Sequence, residues 1–275
     1  MIKICTIDLD GTLFDKEKNI SIENKKAIQQ AKKNGCRIVI ATGRPYQGVL
    51  PVLKELDLIS EKDYVICYNG AKVFNTKTQD LIFSNTITGK DVKALYLESQ
   101  KLQTYFHAFK KDETLITDQH NPYTNVEVTI NKIEDHIVDI LQIPDEEEFL
   151  KCMMVGSEDC VTNAIENLSK EYFDSYSVVR SASIFLEFLN PSTNKGTALE
   201  SLASYLHIPM EETMAIGDAG NDLAMIEKAG IGVAMENGYE EVKRAAKYIT
   251  ASNENSGVAQ ALNLFVNKNN KPLKD

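Results

Sequence analysis

The order in which apolar runs and helical periodicities alternate leaves this chain few folds. Residues 2–7 form an apolar run that ends in Asp8-Leu9-Asp10-Gly11-Thr12. Ser21 can then cap a helix to about Asn34, with Ile22, Ala27, Ile28 and Ala31 on one side, and Gly35 ends it. A second apolar run, residues 36–41, leads into Thr42-Gly43-Arg44-Pro45 and a further helix carrying Val49, Leu50, Leu53 and Leu56. Strand, helix, strand, helix is the rhythm of a parallel sheet covered by helices. It resumes late in the chain. A helix begins near Lys195, a strand runs over residues 213–217, and another over 231–235, with helices from Tyr239 and over 257–265. The fold class read from this pattern is α/β, a doubly wound, Rossmann-like parallel sheet.

Between the two halves the rhythm breaks. A third strand at residues 64–68 is followed by Asn69-Gly70, a two-residue hairpin signal, before residues 71–74. After Thr88 a helix is followed by alternating segments at 103–108, 114–117 and 125–129. Then come a strand at 149–155, a helix over 160–173, and strands at 176–179 and 184–189. Glu146-Glu147-Glu148 reads as a solvated helix start. The mixed pattern describes an inserted α+β domain of ordinary size. The expected organisation is a core made of residues 1–82 and 190–275, interrupted by an insert over 83–189. The polar tail from Lys268 to Asp275 is expected to fray.

Composition narrows the function classes. The net charge is −10 with no basic stripe, which argues against nucleic acid or an anionic membrane surface as the main partner. Any anion site must therefore supply its positive charge locally. No stretch approaches the ~18 apolar residues of a membrane span. The first ten residues carry Lys3, Asp8 and Asp10, so no secretory apolar region is read there. The five cysteines are odd in number and lack metal-type spacing, and the expected setting is the reducing cytoplasm.

The ends of the strands carry the chemistry. Asp8 and Asp10 stand two apart where a strand enters its loop, so both point the same way. Two such anions repel, and a divalent cation with oxygen ligands relieves them; the stretch also fits a plain acidic turn. Strand C-termini in a parallel sheet share one edge, where ligands bind. Thr42 at such an end offers a hydroxyl to an anion, although a simple strand-to-helix turn explains it equally. Arg44 is either a phosphate contact or a surface salt-bridge residue. Lys195 opens a helix, where the dipole disfavours a cation. It calls for a bound phosphate or a side chain reaching to solvent. Asp218-Ala219-Gly220-Asn221-Asp222 again sets carboxylates beyond a strand. His107, on a strand of the insert, reads as structural.

Asp8-Leu9-Asp10-Gly11-Thr12-Leu13 resembles the nucleophile motif of the haloacid-dehalogenase-like phosphatases, in the Cof-type branch with its type IIB cap. Thr42, Lys195 and Asp218–Asp222 resemble the remaining three motifs in the same order, and the resemblance spans the whole chain. It implies hydrolysis of a small phosphate monoester; a sugar phosphate is the first expectation, with flavin mononucleotide or pyridoxal phosphate as the alternatives. Asp8 would be the nucleophile and Asp10 the general acid and base. Mg2+ would be held by Asp8, the Asp10 carbonyl, Asp218 and Asp222. Leu9, Thr42, Gly43, Arg44, Lys195 and Asn221 would bind phosphate or substrate, with Asn69 near it. The insert would act as a cap, and the protein as a monomer or weak dimer. Ala219 departs from the family, which often has a polar side chain there. Two alternatives remain open: a sugar phosphomutase of the same fold, and a receiver-like module that holds a phosphoryl group on aspartate as a signal.

Overall fold

The computed structural model describes residues 1–267; the tail expected to fray lies outside them. The chain divides into two compact units. One comprises Met1–Thr42, Leu50–Phe83 and the chain from Asn194 onward; the other comprises Gly43–Val49 and Ser84–Thr193. The short segment Gly43–Val49, which the sequence places at the start of a core helix, groups with the insert.

The strands in chain order are β1 (Ile4–Ile7), β2 (Arg37–Ala41), β3 (Tyr64–Cys67), β4 (Lys72–Asn75), β5 (Leu81–Ser84), β6 (Ile87–Thr88), β7 (Tyr105–Lys110) and β8 (Leu115–Thr117). They continue with β9 (Asp135–Ile137), β10 (Glu148–Val155), β11 (Ser177–Ala182), β12 (Phe185–Leu189), β13 (Thr213–Gly217), β14 (Ile231–Met235) and β15 (Tyr248–Thr250). The helices are α1 (Ile22–Lys33), α2 (Tyr46–Glu55), α3 (Gly89–Lys101), α4 (Pro122–Asn131), α5 (Glu158–Asn167), α6 (Lys170–Ser175), α7 (Lys195–Tyr205), α8 (Leu223–Lys228), α9 (Glu240–Ala245) and α10 (Gly257–Leu262).

The first unit is built on an eight-stranded sheet ordered β15-β14-β13-β1-β2-β3-β4-β5. The pairs from β15 through β3 are all parallel, and only β3–β4 is antiparallel among the registers resolved there. Because β1 lies between β2 and β13, the chain's crossovers reverse direction at β1. That topological switch is where α/β sheets bind ligands, at the strands' carboxyl ends. Strands β1, β2, β3, β13 and β14 are buried almost throughout, as a doubly covered sheet requires. Ile4, Val39, Ile66 and Ala215 pack with Leu199, Leu202, Met225 and Val242 of α7, α8 and α9. On the other face α1 and α10 lie together. Ser21 caps α1 by accepting from the Asn24 N–H, as its sequence position predicts.

The insert has its own mixed sheet, β11-β12-β10-β7-β8-β9, with β6 beside β10. One of its faces is apolar: Phe106, Ala108, Cys152, Met154, Leu186 and Phe188 pack with Val92 and Leu95 of α3 and Val161 of α5. With a period of two, His107, Lys151, Met153 and Glu187 turn to the opposite face.

Four local expectations are corrected. Residues 125–129, read as an alternating segment, lie within helix α4, because Asn121 caps it and Pro122 opens it. The Asn69-Gly70 hairpin is wider than two residues: Cys67 pairs with Lys72, and Tyr68, Asn69 and Gly70 all have positive φ. The helix over 160–173 is two helices, α5 and α6, parted where Leu168 turns extended. Glu148 begins strand β10, not a helix, since it pairs with Thr88 and its neighbour Phe149 pairs with Ile87 and Lys110. No helix among the described residues is long and apolar enough to cross a membrane. All five cysteines are free.

Candidate active site

The first unit gathers its polar groups around the end of β1. The Asp8 N–H donates to the Ile216 carbonyl, so Asp8 prolongs the β1–β13 pairing, and the residue is only 6% exposed. The chain then turns back sharply. The Leu9 carbonyl accepts from the N–H groups of Thr12, Leu13 and Phe14, and Asp10 forms a bridge with Phe14. Gly11 makes this turn feasible: its φ is +89°, and a Cβ there would fall on the Asp218 carboxylate. Thr12 donates its hydroxyl to Asp218 Oδ1 at 2.7 Å, which ties the first loop to the loop after β13.

Lys195 is the central cation. It is the first residue of α7, capped by Asn194, and is wholly buried. Its ammonium donates to Asp8 Oδ1 at 2.5 Å and to Asp222 Oδ1 at 2.7 Å. The side chain therefore does not reach solvent, and the local reason for a lysine at a helix start is a pair of carboxylates. Asp222 is fixed by its other oxygen, which accepts from the N–H groups of Asp218 and Ala219 at 2.9 and 3.1 Å. That contact explains why alanine is tolerated at 219, since position 219 contributes its backbone.

Carboxylate oxygens of Asp8, Asp218 and Asp222, all buried, lie within 4.8 Å of one another and could hold a metal ion. Burial raises the Asp8 carboxyl well above its ordinary range, and Asp222 adds to the rise while Lys195 opposes it. Burial likewise pushes Asp218 up to about 6, against the hydrogen bond from Thr12. Burial works to lower Lys195, but Asp222 and Asp8 outweigh it and hold the ammonium above its usual range. Three carboxylates against one lysine leave an excess of negative charge with oxygen-only donors. That donor set fits Mg2+ and not a soft metal.

Other residues named from the sequence are placed as follows. Thr42, 1% exposed, follows β2, and its carbonyl accepts from the Asn69 N–H at 3.0 Å. Asn69 in turn accepts from Asn221 Nδ2 at 3.1 Å, so these three form a linked set in the same unit. Asp10 is exposed and accepts from Lys18 at 2.5 Å. Lys18 was not singled out in the sequence. Only the turn built on Asp15, whose side chain accepts from the N–H groups of Glu17 and Asn19, brings it back to Asp10. Gly43 and Arg44 belong to the second unit, where the Arg44 charge acts on Glu127.

Residues 5–262 match the family model of the haloacid dehalogenase-like hydrolases. A Streptococcus pyogenes protein provisionally named a phosphatase is 38% identical over 270 residues, covering 96% of this chain and 98% of its own. A haloacid dehalogenase-like hydrolase from Bacteroides thetaiotaomicron superposes with a TM-score of 0.83 at 31% identity, covering 96% of this chain and 99% of that one. A sugar phosphatase of subclass IIB superposes with a TM-score of 0.79 at 26% identity, covering 96% and 98%. A buried aspartate at the switch point, a lysine clamped between carboxylates and these likenesses have one explanation: the chain belongs to the haloacid dehalogenase-like hydrolases and is a phosphatase of that family.

Proposed function

We propose that this phosphatase is Mg2+-dependent and hydrolyses small phosphate monoesters, sugar phosphates foremost, by way of a phosphoryl group carried on Asp8. The observation that carries the reading is the Asp8–Lys195–Asp222 clamp, which holds one carboxylate oxygen of a buried aspartate in place beside a fixed cation.

In the first step an Asp8 oxygen attacks phosphorus, the bond to the leaving oxygen breaks, and Asp10 gives that oxygen a proton. A carboxylate nucleophile divides one hard displacement into two. In the second step Asp10 takes a proton from water, the water oxygen bonds to phosphorus, and the Asp8–phosphorus bond breaks. One side chain performs both proton transfers. Lys195, Thr42, Asn221 and the N–H groups of Leu9 and Gly43 hold the phosphoryl oxygens, where fixed donors stabilise the charge of the transferring group. Asp8, the Asp10 carbonyl, Asp218 and Asp222 would hold the metal, which when bound neutralises phosphoryl charge as a Lewis acid. Arg44 is a substrate-binding residue, and the insert is the element that sets substrate preference.

The test is a panel of sugar, polyol and aromatic phosphate esters, assayed for released phosphate with Mg2+, with Asp8→Asn as the blank. The reading expects phosphate release from at least one ester, lost in excess chelator and in Asp8→Asn. Release that persists in chelator would remove the metal, and substrate consumed without free phosphate would indicate a mutase.

A further inference from the structure

The connection between β3 and β4 is more demanding than a hairpin needs. An Asn-Gly pair can close two antiparallel strands by itself. Here Cys67 pairs with Lys72, and between them Tyr68, Asn69 and Gly70 take φ of +52°, +53° and +102°. Left-handed backbone is uncommon outside glycine, and a bulky residue such as Tyr68 rarely adopts it. Such conformations persist where the surroundings hold them, and they gather at functional sites. The Asn69 side chain is not at the tip of an open turn but 3% exposed.

The loop is held at three points, all within the first unit. The Asn69 N–H donates to the Thr42 carbonyl at 3.0 Å, while the Thr42 N–H donates to the Ile66 carbonyl at 2.9 Å. Gly70 lies against the start of α7, where a Cβ would collide with the Asn194 carbonyl and crowd the Lys195 backbone nitrogen. Asn69 Oδ1 accepts from Asn221 Nδ2 at 3.1 Å. One short loop thus touches the stretches that carry Thr42, Lys195 and Asn221. The contact with Asn221 is the only one of the three made by a side chain of the loop. A primary amide carries two N–H groups on one nitrogen. With one given to Asn69, the flip and the plane of the Asn221 amide are set, and the other N–H is left for a phosphoryl oxygen. Asn69 Oδ1 is itself an acceptor, so it has no direct use for an anion.

We propose that the Asn69 side chain is a positioning group: it acts on phosphoryl transfer through the Asn221 amide and does not bind the phosphoryl group itself. This rests on the phosphatase reading above and on the place given there to Asn221. The left-handed backbone of residues 68–70 is what turns Asn69 inward to that amide, so the conformational cost of the loop has a use. Donors aimed in advance at the transferring group stabilise its charge without reorganising during the reaction. A donor left to rotate loses that advantage, and a misplacement of about 1 Å can cost up to ~100-fold in rate.

The test is a double-mutant cycle in the full-length protein, with Asn69→Gly, Asn221→Ala and the pair, assayed with Mg2+ on p-nitrophenyl phosphate and on the best ester found. Asn69→Gly removes the side chain but keeps the left-handed backbone and its N–H on Thr42, because glycine adopts positive φ freely. It should lower kcat/KM about tenfold when Asn221 is present and by less than about twofold when Asn221 is already alanine, since a group acting through another has nothing left to position. The same cycle is read in the dissociation constant of inorganic phosphate, measured by calorimetry with Mg2+, which answers the question if the double variant turns over too slowly to assay. Unchanged kcat/KM and phosphate affinity in Asn69→Gly, or in Asn221→Ala, overturn the proposal. So do effects that multiply in full, which would mean that Asn69 touches the phosphoryl group directly or, with a lowered melting temperature, that it only supports the fold. A wild type that releases phosphate from no ester overturns the phosphatase reading itself, and this proposal with it.

Discussion

A fully buried lysine at the first position of a helix is costly twice over, by desolvation and by the helix dipole. Lys195 is kept charged there because Asp8 and Asp222 both accept from it. The Asp218 carboxylate instead accepts the neutral hydroxyl of Thr12. Its carboxyl is accordingly pushed up to about 6 by burial. The sign of the linkage follows. A carboxyl raised in the folded state contributes stability below its unfolded value, near 4, and that stability is lost as pH rises through about 6. Asp218→Asn keeps an acceptor for Thr12 but cannot ionise. In chelator-treated protein the melting temperature of Asp218→Asn minus that of the wild type should therefore increase between about pH 4 and pH 7. A difference that stays flat across this range would mean that Asp218 is not held in a charge-disfavouring site.

At the scale of elements, the strand ends and caps were legible in the sequence and the turns between them less so. Strands such as β13, and the Ser21 cap of α1, follow from apolar runs and capping chemistry that act over a few residues. So did the main carboxylates, because each sits at the end of such a run. Helix α4 was not legible. Asn125-Val126-Glu127-Val128-Thr129 alternates with a period of two and is rich in β-branched residues, which is strand chemistry by itself. What overrides it is the start signal: Asn121 Oδ1 accepts from the N–H groups of Tyr123 and Thr124, and Pro122 takes the first helical position. Asn121→Ala should accordingly cost about 1 kcal/mol of stability in denaturant unfolding, with Asn121→Asp retaining most of it. Equal stability of Asn121→Ala and wild type would show that packing alone fixes the helix. Lys18 was out of reach for a different reason. It lies in a polar turn with φ of +63°, and only that turn's closure on Asp15 returns its side chain to Asp10.

On the scale of the whole molecule, the chain divides into two units, each built on its own sheet. The first supplies a parallel sheet whose switch point at β1 brings Asp8, Lys195, Asp218 and Asp222 together from three separate stretches of chain. Its core is built of apolar layers. The second unit has an independent apolar core on one sheet face and a charged cluster on the other. The central claim concerns the first unit: Asp8 carries the phosphoryl group. The most direct measurement is rapid acid quench of the enzyme during turnover of its best ester, followed by mass spectrometry of the peptide that contains Asp8. The account predicts one added phosphoryl group on Asp8 during turnover, vanishing as substrate is exhausted and absent in Asp8→Asn. Steady phosphate release with no phosphoryl group on that peptide, or turnover retained by Asp8→Asn, would contradict it.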